Sequence, residues 1–280
     1  MQLIKSARKL TERLRNLRPS GKRIGFVPTM GYLHEGHFSL VRRAQRENDV
    51  VVVSIFVNPT QFGPREDFKR YPKNLSRDKK LLKSEHVDYL FVPSRSSIYP
   101  KGFKNFISPG PLARHLCGPK RSGHFRGVAT VVNRLFEMVK PRAAYFGEKD
   151  YQQARIIEEM VRKLHLPIKI KLCAIVREAD GLAMSSRNRY LSRRERISAR
   201  AIYQSLLLAK RLIRAGERNT GKIKRAIRDV IVNHVSRIDY IEVVDPVKLV
   251  PLKQIKSRTL VAIACYIGAT RLIDNLLIKI

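Results

Sequence analysis

The sequence predicts an α/β fold, a Rossmann-like doubly wound parallel sheet with a smaller C-terminal α+β domain, on three observations. Short apolar runs recur with helical spacers between them, the mark of a parallel sheet covered on both faces. Polar, glycine-containing segments follow the ends of those runs, where ligands gather in such a sheet. After about Val176 the rhythm changes to long basic helical stretches and then to short strand-like pieces.

The first strand runs from Ile24 to Pro28 and feeds a loop containing Gly31. A helix pattern then begins near Gly36, with Phe38, Leu40, Val41 and Ala44 on its buried side. Further strands are expected at Val50 to Val57, Tyr89 to Val92, Ala143 to Phe146 and Ile168 to Cys173. Val128, Val131, Val132, Leu135, Phe136 and Val139 mark one covering helix, and Ile156, Ile157, Met160, Val161 and Leu164 another; both stripes read as core. The join from Val176 to Gly181 reads as a hinge, so domains are placed at 1–175 and 176–280. In the second, helical patterns cover Arg193 to Ala215 and Lys222 to His234, and strands Tyr240 to Val244, Thr259 to Tyr266 and Thr270 to Leu277. Gly216 to Lys222 matches most of a P-loop, but Ile223 stands where a magnesium-binding hydroxyl belongs and a helix precedes it, so it reads as an interhelical turn.

At 280 residues and 44% hydrophobic, the chain is long enough for a full core. No apolar stretch approaches the roughly 20 residues that cross a bilayer, and Met1 to Ser6 lacks a secretion-signal core. The expected setting is cytoplasmic, with no membrane partner. Cys117, Cys173 and Cys265 have no paired spacing for disulfides or zinc and read as core fillers. Lys and Arg number 57 against 23 Asp and Glu, a formal charge of +34 that attracts polyanions in general. Because the cations spread from Lys5 to Lys279 and form no single stripe interleaved with aromatics, no specific nucleic-acid partner is assigned.

The chemistry-bearing segments begin with Pro28 to His37. Backbone N–H groups at a helix start face an anion, and the imidazoles of His34 and His37, three residues apart, can donate together to phosphate oxygens. A helix cap is the plainer use, and a metal site would need further ligands. Gln61, in the loop after the second strand, suits a small substrate carrying a carboxylate and hydroxyls, although alone it reads first as a loop tie. In Gly147 to Gln153, Lys149 offers phosphate a cation and Asp150 can accept from ribose hydroxyls; a charged helix cap explains the segment as well. Ser185, Ser186 and Arg187 present two hydroxyls and a guanidinium, fit to grip a triphosphate or to form a capping turn.

His34-x-Gly36-His37 with Met184-Ser185-Ser186-Arg187 resembles the HIGH and KMSKS pair of adenylate-forming nucleotidylyl transferases, with Arg187 in place of a lysine. More narrowly, the chain resembles the pantothenate synthetase (pantoate:β-alanine ligase) family. The matching segments are Pro28 to His37, Ser54 to Gly63, Gly123 to Val128, Phe146 to Gln153, Val176 to Leu191 and Gly268 to Asn275, in order over nearly the whole length. Ser122 stands where the family usually has proline.

The resemblance implies a HIGH-type nucleotide- and pantoate-binding domain, a C-terminal lid domain and a ligase that joins pantoate to β-alanine through pantoyl adenylate, releasing AMP and pyrophosphate. It assigns ATP to Met30, Gly31, Tyr32, Leu33, His34, Glu35, Gly36 and His37, with Gly147, Glu148, Lys149, Asp150, Val176, Met184, Ser185, Ser186 and Arg187. His37, His34, Lys149 and Arg187 carry catalysis, Gln61 and Gln153 hold pantoate, and Gln61 lies near β-alanine. Mg²⁺ rides mainly on the phosphates, with Asp78 as an outer-shell partner, and the family implies a homodimer. The rivals are a nucleotidylyl transferase with another acceptor and a basic nucleic-acid-binding protein; the settings of Gln61 and Gln153 favour the ligase.

Overall fold

Strand and helix alternate along the first part of the chain. β1 (Gln2–Ile4), α1 (Ala7–Leu17), β2 (Ile24–Thr29), α2 (Glu35–Glu47), β3 (Val50–Ile55), α3 (Leu75–Ser84), β4 (Tyr89–Phe91), α4 (Arg95–Ile98), α5 (His124–Val139), β5 (Ala143–Gly147), α6 (Tyr151–Lys163) and β6 (Lys169–Cys173) follow in order in the computed structural model, which describes residues 1–64 and 66–280. The five strands expected in this part of the chain all form, with ends shifted by up to two residues. β1 lies outside that expectation: three residues with one buried side chain, Ile4, carry no periodicity.

The six strands make one parallel sheet in the order β1-β4-β3-β2-β5-β6. Alternation along each strand supplies two cores. Ile24, Phe26, Val50, Val52, Ala144 and Phe146 pack with α1, α5 and α6, while Val27, Val51, Val53, Ala143 and Tyr145 pack with α2 and α3. Strand order reverses at β2, which pairs with β3 on one side and β5 on the other. The β2–β3 ladder runs through Thr29, but the β2–β5 ladder covers only Gly25 and Phe26. The two central strands therefore part before their carboxyl ends, and Pro28, with no N–H for a ladder, falls in the parted stretch. A crevice at that switch point is where ligands bind in such sheets.

By contact density the chain divides into two units. The first comprises Met1–Gly110, Arg121–Glu148 and Gln153–Ala174, and the second Pro111–Lys120, Lys149–Gln152 and Ile175–Ile280. In the second unit, α7 (Arg193–Arg214) and α8 (Thr220–Ile231) precede the antiparallel sheet β7 (Arg237–Val244), β8 (Arg258–Ile267) and β9 (Thr270–Lys279). The helices cover one sheet face, with Ile223, Ile227 and Ile231 of α8 at helical spacing against Ile241, Val261 and Ile263. Leu116 and Tyr151, from the two short upstream pieces, cover Val244, Leu260 and Ala262 on the other face. Asn219 caps α8 and Gly216 takes φ 101°, so the P-loop look-alike is an interhelical turn. All three cysteines are buried and unbridged. No described helix is long and apolar enough to cross a membrane.

The segment expected to be a hinge is braced. Arg177 pairs with Ala183 across a short antiparallel bridge, Glu178 N–H donates to the Leu182 carbonyl and Met184 N–H to that of Val176. Arg196 of α7 holds Glu178 at 2.7 Å and Asp180 at 2.9 Å.

Candidate active site

Within the first unit, three strand-end loops meet the switch point. After β2 the chain turns through Gly31 (φ 84°) and Tyr32 (φ 52°), a left-handed pair that disfavours the non-glycine residue by about 1–2 kcal/mol. The Asp78 carboxylate of α3, only 1% exposed, holds that turn. Its Oδ2 accepts the Tyr32 N–H at 2.7 Å and its Oδ1 the Leu33 N–H at 2.9 Å. Arg77 donates to the Leu33 carbonyl at 3.0 Å, and its guanidinium lies 5.1 Å from the Tyr32 ring centre. Asp78, for which the resemblance implies an outer-shell place near magnesium, is buried here and anchors the loop after β2.

His34 is the extended N-cap of α2, and His37 sits one turn in, with the ring centres 4.0 Å apart. The His34 N–H donates to His37 Nδ1 at 3.3 Å. A nitrogen that accepts carries no proton, so the neutral His37 ring bears its hydrogen on Nε2. The Glu35 carboxylate pairs with Arg42 on the helix surface, which leaves its backbone N–H, not its side chain, to face an anion.

After β3, Asn58 caps a turn of 3-10 helix ending at Gln61. Asn58 Nδ2 donates to Gln61 Oε1 at 3.1 Å, and Gln61 Nε2 donates to Met30 Sδ at 3.2 Å. This contact joins the β2 and β3 loops. The donor end of Gln61 is thus held by a thioether, a weak acceptor that a substrate oxygen readily replaces. His124 at the start of α5 gives its Nδ1–H to the Gln61 carbonyl at 2.8 Å, so its Nε2 accepts from Arg121, 2.9 Å away. Arg121 in turn forks onto Glu66 at 2.8 and 2.6 Å. Burial pushes the Glu66 carboxyl up, but the Arg121 guanidinium outweighs it and holds the group below the usual range. A Cβ on Gly127 would lie 2.4 Å from the Thr60 carbonyl oxygen, so α5 approaches this turn as only glycine allows.

β5 ends at Gly147, where an added Cβ would meet nothing within 4 Å, and Glu148 follows. Gln153 is half-buried on α6, and its amide hydrogen-bonds to none of the described residues. Its neighbour Gln152 is consumed by structure: it accepts the Cys117 N–H and donates to the Leu112 and His115 carbonyls.

The remaining expected residues belong to the second unit. Lys149 lies 3.9 Å from the exposed Asp150 carboxylate, and its backbone carbonyl accepts Asn275 Nδ2 at 3.0 Å. Val176 and Met184 are joined by the backbone bond described above. Ser185 caps the 3-10 turn Ser186–Tyr190, its Oγ accepting the Arg187 N–H at 3.3 Å. Arg177 forks onto Asp274 at 2.6 and 3.0 Å. Burial raises the Asp274 carboxyl above its ordinary value, while that guanidinium pulls the other way. Asp78, His124, Asp274 and Asn275 were not foreseen in these roles. Their one sequence signal was membership of the matching segments for the last three, because each acts on a residue far along the chain.

The family model for pantoate-beta-alanine ligase matches residues 2–277. A pantothenate synthetase of Fervidobacterium nodosum is 50% identical over 100% of both chains, and one of Thermotoga neapolitana 53% identical over 98% of this chain and 99% of its own. The crystal structure of pantothenate synthetase from Thermus thermophilus superposes with a TM-score of 0.93 at 44% identity, covering 99% of each chain. A pantoate-beta-alanine ligase from Francisella tularensis, solved with β-γ ATP and β-alanine, gives 0.83 at 38% identity over 99% of this chain and 97% of its own.

Proposed function

The chain belongs to the pantoate–β-alanine ligase family and is an ATP-dependent ligase that joins pantoate to β-alanine; from that premise we propose which of its residues do the work. A pantoate carboxylate oxygen attacks the α-phosphorus of ATP, the bond from that phosphorus to the bridging oxygen breaks, and pyrophosphate leaves with the electron pair. The amine of β-alanine then adds to the acyl carbon of pantoyl adenylate, loses a proton and expels AMP as the amide forms. The substrate supplies the nucleophile, so the protein's contribution is alignment and charge compensation.

In this reading Met30 to His37 receive ATP, with Nε2–H of His37 donating to a phosphate oxygen and His34 beside it. The crevice past Gly147 and Glu148 takes the nucleotide, and Lys149, Asp150, Val176, Met184, Ser185, Ser186 and Arg187 complete its binding. Lys149 and Arg187 offset the charge that grows on the leaving pyrophosphate. Gln61 and Gln153 hold pantoate, and Gln61 also meets the incoming amine. The observation that carries this assignment is the contact between Gln61 and Met30, which sets a carboxylate-binding amide against the nucleotide loop.

Mg²⁺ enters with ATP. Among the described residues no three His, Cys, Asp or Glu side chains gather as metal ligands, and both Asp78 oxygens are engaged by backbone N–H groups. The ion is accordingly assigned mainly to the phosphate oxygens. A cytoplasmic homodimer, with residues 1–175 and 176–280 as separate functional domains, completes the proposal.

Isotope exchange tests it. Labelled pyrophosphate should enter ATP only when pantoate and Mg²⁺ are present, and His37→Ala should slow exchange by about 10²–10³-fold while the protein stays folded. Exchange without pantoate, or full activity in the variant, overturns the assignment.

A further inference from the structure

The segment Gly268 to Asn275 has no part in the scheme above, yet it ends in two of the most buried polar residues of the second unit. Asp274 is 2% exposed and Asn275 5%. They are neighbours in the middle of β9, where Asn275 pairs with Ala262 and Asp274 with Ile263 of β8. A carboxylate and an amide side by side in an apolar sheet are costly unless each makes strong bonds.

Both do, and each bond leads to a cation-bearing segment. Asn275 Nδ2 reaches the backbone carbonyl of Lys149 at 3.0 Å. Asp274 receives the Arg177 fork, and the same guanidinium donates to the Gly181 carbonyl at 3.0 Å and lies over the Tyr203 ring at 3.8 Å. That guanidinium thereby closes the 176–184 hairpin from which Met184 to Arg187 continue. Gly181 sits at φ 91° with Tyr203 only 2.3 Å from where a Cβ would stand, so the hairpin is fitted to this clamp.

We infer that Asp274 and Asn275 form a positioning pair that fixes the Lys149 backbone and the segment bearing Arg187 relative to one another from a single strand. The inference rests on the assignment of Lys149 and Arg187 to the ATP phosphates. Both grips take hold away from the working groups, of Lys149 by its carbonyl and of the hairpin through Arg177. Two cations that must meet one triphosphate gain from a shared rigid mount, because a displacement of about 1 Å costs on the order of 100-fold in rate.

Pyrophosphate exchange in double-mutant cycles tests this. Asn275→Ala should slow exchange by about 10- to 100-fold in the otherwise unaltered enzyme, and by under about twofold when Lys149→Ala is already present, because the lost function runs through Lys149. Asp274→Asn should behave the same way toward Arg187→Ala. Should Asn275→Ala fail to fold, the isosteric Asn275→Asp, which replaces the donor by an acceptor, carries the same comparison. Equal losses in both backgrounds, or no loss in the first, overturn the inference and leave the Lys149 assignment standing. Full exchange in Lys149→Ala alone overturns both.

Discussion

Replacing Asp78 by Asn is the sharpest probe of the loop proposed to receive ATP. The amide keeps the shape of the carboxylate but offers one oxygen, so either the Tyr32 or the Leu33 N–H comes to face an NH₂ group instead of an acceptor. A bond from a backbone N–H to a charged group contributes about 1.5–3 kcal/mol, and a buried N–H left unpaired costs about 1–3 kcal/mol more. Part is recovered, because a released Tyr32 leaves its left-handed conformation at φ 52° and regains about 1–2 kcal/mol. The net loss is about 2–4 kcal/mol, which corresponds to roughly 30- to 1000-fold if all of it falls on the population of the binding-ready loop. Urea denaturation measures the share that reaches global stability, and the ATP dependence of pyrophosphate exchange measures the share confined to the loop. We expect a raised KM for ATP, an unchanged KM for pantoate and an unchanged Mg²⁺ requirement. A variant with the parental urea midpoint and ATP KM would refute the anchor, and rescue by excess Mg²⁺ would return Asp78 to the metal.

Two further outcomes follow from single contacts. Gly127→Ala drives a methyl group toward backbone atoms, 2.4 Å from the Thr60 oxygen and 2.7 Å from the Gln61 nitrogen. It should cost about 1–3 kcal/mol of stability and raise the pantoate KM more than that of ATP, measured by denaturation and steady-state kinetics. Glu47, bonded to Arg43 and further to Lys171 and Tyr145, has its carboxyl lowered from 4.5 to about 2. A lowered carboxylate stabilises the fold above its unfolded value, and that contribution is lost as pH falls from 4.5 toward 2. Glu47→Gln should therefore flatten the fall of the urea midpoint over that acid range and change little at its lower end.

The sheet was legible in the sequence because parallel strands buried on both faces read as unbroken apolar runs. Val50 to Val53 is the plainest case, its successive side chains dividing between the two cores. β1 was not legible, since its place at the sheet edge depends on pairing with β4, far along the chain. The residues proposed to face ligand were also legible, because Gly, His, Gln and Lys clustered at strand ends carry chemistry whatever surrounds them. Around the join expected at Val176 to Gly181, the partners of each charge were not legible. Asp274 for Arg177 and Arg196 for Glu178 and Asp180 are brought in only by folding.

That division between visible ligand residues and invisible anchors follows from the reaction. Where a substrate carboxylate attacks and pyrophosphate leaves, the enzyme gains most from holding donors and cations in place before the charge develops. A side chain that must touch ligand cannot spend its polar atoms on the scaffold, so the scaffold grips the backbone around it: Asp78 at Tyr32 and Leu33, His124 at the Gln61 carbonyl, Asn275 at the Lys149 carbonyl. Each grip comes from a buried polar group that burial alone would make costly, and each is made worthwhile by a strong bond to a group from another element. Such anchors are chosen by three-dimensional fit and not by local chemistry, so their spacing from the residues they hold, from 45 positions for Asp78 and Leu33 to 126 for Asn275 and Lys149, follows no motif. In an enzyme of this kind, then, buried polar side chains bonded to the backbone of strand-end loops are the places to look for residues whose loss impairs catalysis without touching substrate.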